Sequence, residues 1–200
     1  NNRYQTGISI NNISNPDSLM FADITPMQNS GYAIVYDEYG ISLFGLSIGT
    51  DEQWVGVHFT PNTEGFVTEI DFGLVSEQMW NTDELNWEVR LYDSFDGVSP
   101  GNMIDAVSGS SYVGGWHTVQ VDSMEILPNQ DFFIGVKFED NGYVIGYDNI
   151  GDFSGRSYYS SNDISFSGMP SSYGDCNIRA KISTETFVRN EPDNHIPTQI

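Results

Sequence analysis

The chain has 200 residues, of which 38% are hydrophobic and 14% aromatic, enough apolar surface for one sizeable core and too much for a disordered chain. Seven basic against 28 acidic residues leave a net charge of −21, which repels phosphate backbones and anionic lipid and so argues against nucleic acid and membrane surfaces as partners. The same acidity fits either bound divalent cations or plain solubility, and solubility is the commoner reason.

Residues 1–30, "NNRYQTGISINNISNPDSLMFADITPMQNS", are rich in Asn, Ser and Pro and read as a polar arm or linker with at most one strand. Asn12-Ile13-Ser14 is a glycosylation sequon, a short match that means little by itself. Strand-like sequence starts at Tyr32 with "YAIVYD" and "ISLFGLSI". In "GFVTEIDFGL" the alternation puts Phe66, Thr68, Ile70, Phe72 and Leu74 on one face, with Val67, Glu69 and Asp71 on the other. "SEQMWNTDEL" is the one stretch suited to a helical turn. "NWEVRLYD" alternates Trp87, Val89 and Leu91 against Glu88, Arg90 and Tyr92. It runs into "SFDGVSPGN", where Gly97, Pro100 and Gly101 have the chemistry of a turn between two strands. "WHTVQVDS", "DFFIGVKFED", "GYVIGYD", "GRSYYSS" and "CNIRAKIST" complete about nine or ten strands. Cys176, the single cysteine, falls in the last of these as a small buried residue, and it excludes an intrachain disulfide. No apolar run reaches the length of a membrane span. The fold expected over 31–185 is an all-β antiparallel sandwich of jelly-roll type. Residues 186–200, in "TETFVRNEPDNHIPTQI", lose alternation and read as a tail or linker. Polar segments at both ends suggest a module of a larger protein.

The order of these pieces carries a resemblance. "YDEYG", "EQWVGVHFTPNTEGFVTEIDFGL", "WEVRLYDSFDGVSPGNMI", "GGWHTVQVDSMEILPNQDFFIGVKFED", "YVIGYD", "GRSYYSS" and "GDCNIRAKI" follow one another between Tyr32 and Thr184. The series resembles lectin-like β-sandwich accessory domains of exported bacterial and archaeal proteins, which accompany papain-like or subtilisin-like peptidases. The resemblance implies a jelly-roll module with an attachment or binding role, beside a catalytic domain that this chain lacks. It implies an extracellular, periplasmic or cell-surface location and names no ligand.

The residues themselves offer three chemistries. For hydrolysis, there is no G-x-S-x-G elbow, and His58 and His117 lie in strands while His195 lies in the tail. Glu69 and Asp71 in "EIDF" share one strand face and resemble the paired carboxylates of jelly-roll glucanases. The further Glu that such a strand needs is replaced by Gly73 and Leu74, so a glycoside hydrolase using Glu69 and Asp71 is the alternative reading. For metal, imidazole and thiolate motifs are lacking, whereas structural calcium would take Asp93 and Asp96, or Asp148 and Asp152, in inter-strand loops. Asx-turns account for the same residues without an ion. For carbohydrate, stacking needs exposed aromatics. Trp80, in its polar connection, and Tyr112, Tyr158, Tyr159 and Tyr173, in Ser/Gly-rich loops, are the candidates, with Trp54, Trp87 and Trp116 assigned to the core or strand edges. The reading that follows is a non-catalytic accessory module that binds glycan or protein, or supports a neighbouring domain; a structural spacer or adhesin segment is a further alternative.

Overall fold

The structure, a computed structural model, describes residues 8–11, 23–26, 31–38, 40–41 and 45–184; the tail 186–200 and most of the arm lie outside the described residues. Within the arm, β1 (Ile8–Asn11) and β2 (Asp23–Pro26) pair antiparallel, two strands where the sequence predicts at most one.

The body contains β3 (Gly31–Ile34), β4 (Gly45–Leu46), β5 (Gln53–Phe59), β6 (Gly65–Leu74), β7 (Leu85–Tyr92), β8 (Met103–Ser111) and β9 (Gly115–Ile126). It continues with β10 (Phe132–Phe138), β11 (Ile145–Asp148), β12 (Ser157–Ser160), β13 (Ser167–Gly168), β14 (Asp175–Cys176) and β15 (Ile178–Ser183). These form two antiparallel sheets. A six-stranded sheet runs β13-β12-β5-β10-β7-β8, and a seven-stranded sheet runs β14-β11-β6-β15-β3, with β4 on β11 and β9 on β6. Eight strands (β3, β5, β6, β7, β8, β9, β10 and β15) define the topology. Taken as first to eighth, they give a first-eighth-third-sixth sheet facing a second-seventh-fourth-fifth sheet. That order is the jelly roll, so the expected fold is borne out. The other strands in the two sheets are mostly short pieces between β10 and β15 that widen both sheets, which is why the sequence suggests fewer strands than form.

Alternation builds the core. Phe59, Ile70, Phe72, Leu85, Leu91, Ile134, Phe138 and Ile178 are all buried between the sheets. In β6 the alternation breaks at Thr68, an extra residue opposite β15 that makes a β-bulge. Val67 is therefore buried and Phe66 only half-buried, the reverse of the simple period-two expectation. The expected helical turn is a 3-10 turn, Glu77–Met79. Among the described residues, no helix is long and apolar enough to cross a membrane.

Candidate binding site

The outer faces of the two sheets differ. On the six-stranded sheet, Trp54, Tyr92, Phe133, Phe95 and Phe166 form a second buried cluster outside the main core, with Tyr158 packed against it. Phe95 stacks on Phe133 at 4.3 Å, and Phe166 meets Phe133 edge-on at 4.9 Å. Gly56 makes room for this roof, because a Cβ there would lie 2.1 Å from the Phe133 ring. Phe95 belongs to the 93–102 loop and Phe166 to the 161–166 loop, and the Phe166 N–H donates to Val98 O at 2.7 Å. Two shallow depressions remain beside the roof. One, of about 360 Å³, is bordered by Arg90, Met103, Asp163 and Ile164. The other, of about 390 Å³, is bordered by Asn86, Glu88, Ser108 and Lys137. Arg90, at the first, is stacked on Trp54 at 4.5 Å and bonded to both Glu88 and Asp163.

The outer face of the seven-stranded sheet is polar, and Asp37, Gly40 and Ile41 cover one end of it, over Gly73, Gly146 and Asn177. Register places Gly73, Asp71 and Glu69 of β6 opposite Trp116, Thr118 and Gln120 of β9. On the other side, Arg179 and Lys181 of β15 stand opposite Asp71 and Glu69. Lys181 Nζ lies 3.0 Å from Glu69 Oε2 and 2.9 Å from Asp71 Oδ1. Gln120 Nε2 donates to Glu69 Oε1 at 2.7 Å, and Thr118 Oγ1 donates to Asp71 Oδ1 at 2.5 Å. Partial burial raises the Glu69 pKa, but the hydrogen bonds from Gln120 and Lys181 and the Lys181 charge outweigh it and hold it below the ordinary value. Partial burial likewise lowers Lys181, and its two carboxylate partners more than reverse this. Behind this layer Arg179 donates from Nε to Asp37 Oδ1 at 2.9 Å and from Nη2 to Oδ2 at 2.7 Å. Asn177 Nδ2 donates to the same Asp37 carboxylate at 2.9 Å. The guanidinium lies 4.1 Å from the Trp116 ring centre.

The residues singled out from sequence fall in several places. Trp80 is 7% exposed and packs in the main core, so its expected exposure is corrected. The loop that carries it is polar but pinned: Asn81 N–H donates to Asp140 Oδ2 and Tyr143 N–H to Met79 O, which folds the indole inward. Trp116, expected in the core or at a strand edge, lies in β9, the edge strand beside β6, and is 40% exposed. Alternation carried that signal, since Trp116 shares parity with Thr118 and Gln120 while Val119 points in. Tyr158 is half-buried against Phe95, and Tyr159 packs against the main core. Tyr112, at 64% exposure, sits between β8 and β9 with its hydroxyl on Glu84. Tyr173 is exposed and meets Tyr147 edge-on at 5.9 Å.

The loop acids serve the backbone. Asp93 Oδ1 accepts from Asn102 N–H at 2.9 Å and Ser94 Oγ at 2.8 Å, and its Oδ2 accepts from Asn102 Nδ2 at 2.8 Å. Asp96 Oδ1 accepts from Val98 N–H at 2.9 Å and Ser99 N–H at 2.7 Å, an Asx-turn completed by Gly97 at φ 95°. These bonds hold both carboxyls below their usual pKa. Asp148 is buried and accepts from Ile150 N–H at 3.0 Å, while Asp152 is exposed. Among the described residues, no group of three or more His, Cys, Asp or Glu side chains is arranged to hold a metal ion. Burial pushes the Cys176 thiol up to about 12, so it is not a ready nucleophile. His117 stacks on Phe72, with Nε2 3.2 Å from Val113 O and Nδ1 3.4 Å from the buried Ser111 Oγ. Ser111 Oγ also accepts from Trp87 Nε1 at 2.9 Å, so this pair latches β8 to β9.

No family model matches the chain, and no curated protein matches it either. Solved structures share its fold. One contains the cysteine protease and lectin-like domains of Cwp84, a surface layer associated protein of Clostridium difficile. It is similar with a TM-score of 0.56 at 15% identity, over 81% of this chain and 38% of that one. Another is the clostridial cysteine protease Cwp84 after propeptide cleavage, with a TM-score of 0.59 at 17% identity, over 81% of this chain and 42% of that one. The likeness falls on the lectin-like part, and at the level of fold it bears out the resemblance to a lectin-like accessory domain. This chain spans less than half the length of either.

Proposed function

We propose that this chain is a non-catalytic accessory module of an exported or cell-surface protein, which binds glycan and works beside a catalytic domain. The observation that carries the reading is the shared fold with the lectin-like part of Cwp84. The charge of −21 fits a soluble, extracytoplasmic setting. The glycosidase alternative draws less support. A glycosidase pairs an ionised carboxylate with a second carboxyl that keeps its proton near neutral pH. Glu69, held below its ordinary pKa, suits the first role, but the strand carries Gly73 and Leu74 where the proton donor would stand. Tyr112 and Tyr173 keep the exposure that ligand contact needs.

Two measurements on the same preparation test this. A glycan array should show binding, and a reducing-sugar assay on barley β-glucan should show no turnover. Turnover that disappears in Glu69→Gln would replace the binding module with an enzyme. An array without any signal would leave attachment through protein as the remaining role of the module.

A further inference from the structure

We infer that the glycan site is the outer face of the seven-stranded sheet, centred on Trp116 and flanked by Thr118, Gln120, Glu69 and Asp71, and that it takes a neutral pyranose chain. This rests on the binding-module reading above and adds the place and the ligand class.

Geometry comes first. The three paired strands β9, β6 and β15 present their outward residues as a grid, with rows Trp116-Gly73, Thr118-Asp71-Arg179 and Gln120-Glu69-Lys181. At sheet spacings the grid measures about 10 Å across and about 14 Å along, the footprint of a short oligosaccharide. Arg179 of β15 reaches across β6 to the indole, while Ile41 and Asn177 fill the space beside Gly73. One face of the ring is covered by this guanidinium, yet Trp116 remains 40% exposed, so the exposed area belongs to the rest of the indole. Arg179 is itself held by the buried Asp37, which fixes the stack before any ligand arrives. A ring fixed in advance loses little entropy when a sugar stacks on it.

The chemistry selects the ligand. The two carboxylates share Lys181, and each takes one further donor, from Gln120 or Thr118. Held this way, Glu69 and Asp71 offer lone pairs in fixed directions, and the Gln120 amide offers its oxygen and second N–H. Fixed acceptors and donors beside an aromatic ring match the hydroxyls and apolar face of a pyranose. An anionic polymer would meet three carboxylates against two cations here, on a molecule of charge −21. The opposite sheet offers no such ring, because its aromatic residues lie buried under the two loops.

The test is titration calorimetry of the intact chain with cellohexaose, mannohexaose and chitohexaose as probes. Wild type is expected to bind at least one of them. Trp116→Ala should weaken that binding by about tenfold or more, as truncating a central aromatic anchor does, and Gln120→Ala by a smaller factor. Trp116→Phe keeps a ring and should restore most of the loss, which separates stacking from a general effect on folding. Met103→Ser with Ile164→Ser, in the depression on the other sheet, should leave binding unchanged. Binding that survives Trp116→Ala, or is lost in the Met103/Ile164 pair, overturns the placement while the glycan-binding reading stands. Failure of wild type to bind any of the three overturns the ligand class itself.

Discussion

Arg179→Met should cost this domain far more than a surface substitution. The guanidinium makes two hydrogen bonds to Asp37, whose side chain has 0% exposure, while the Arg179 side chain is 27% exposed. Removing it leaves a buried carboxylate with Asn177 Nδ2 as its remaining side-chain donor among the described residues. Breaking a buried pair from one side costs about 3–5 kcal/mol, and the partial exposure of Arg179 points to the lower end. Loss of the Trp116 stack adds about 0.5–1 kcal/mol. A total near 3–4 kcal/mol corresponds to a fall in melting temperature of roughly 10 °C for a domain of this size. Urea unfolding followed by near-UV circular dichroism measures it, and the slope with denaturant should stay at its wild-type value. Asp37→Asn combined with Arg179→Met should cost clearly less than the sum of the two single changes, because the buried charge has gone. A loss below about 1 kcal/mol in Arg179→Met, or strict additivity in the double variant, would refute the argument that this is a desolvated pair.

Other expectations concern the roof, the acids and the loops. Gly56→Ala should destabilise by about 1–3 kcal/mol, since the new methyl collides with a Phe133 ring that Phe95 and Phe166 hold in place; equal urea midpoints for the two proteins would contradict this. Glu69, Asp93, Asp96, Asp131 and Asp163 all hold folded-state pKa values below their ordinary ones. Their contribution is complete above the unfolded pKa near 4 and disappears as pH falls through the lower folded values, so the urea midpoint should drop from about pH 5 towards about pH 2. A midpoint that rises through that window would reverse the sign of the reasoning. Because Asp93 and Asp96 bond to their own loop, EDTA should move the melting temperature by no more than about 1 °C, and a larger fall that added calcium restores would assign the ion to these loops.

The sequence made the long strands legible and the loops less so. In β7 the parity of Val89 and Leu91 matches burial, because β10 pairs regularly along it and β8 does as far as Leu91, where the register shifts. In β6 the same rule fails on one side of Thr68, because a bulge depends on a partner strand more than a hundred residues later. The polar neighbourhood of Trp80 predicts exposure, and its burial is set by Asp140 and Tyr143, some sixty residues on. Trp116 is expected in the core or at a strand edge, and its parity with Thr118 and Gln120 places it on the outer face of the edge strand β9. Phe95 sits in a loop that reads as pure turn chemistry, and only Phe133 and Phe166 show why an aromatic residue is there.

Lys181 connects stability to the proposed role. Glu69 and Asp71 are two residues apart on one strand, so their like charges would repel across the same face. Lys181 stands opposite, within 3.0 Å of both, and supplies the missing counter-charge. That arrangement holds Glu69 ionised, and the strand supplies Gly73 and Leu74 where a proton-donating carboxyl for glycoside hydrolysis would have to stand. It also fixes the two carboxylates side by side as acceptors, beside an indole that Arg179 and Asp37 hold still. Two carboxylates that share one lysine, with no proton donor following them on the strand, keep their hydrogen-bonding geometry for a ligand, which is what a binding module requires.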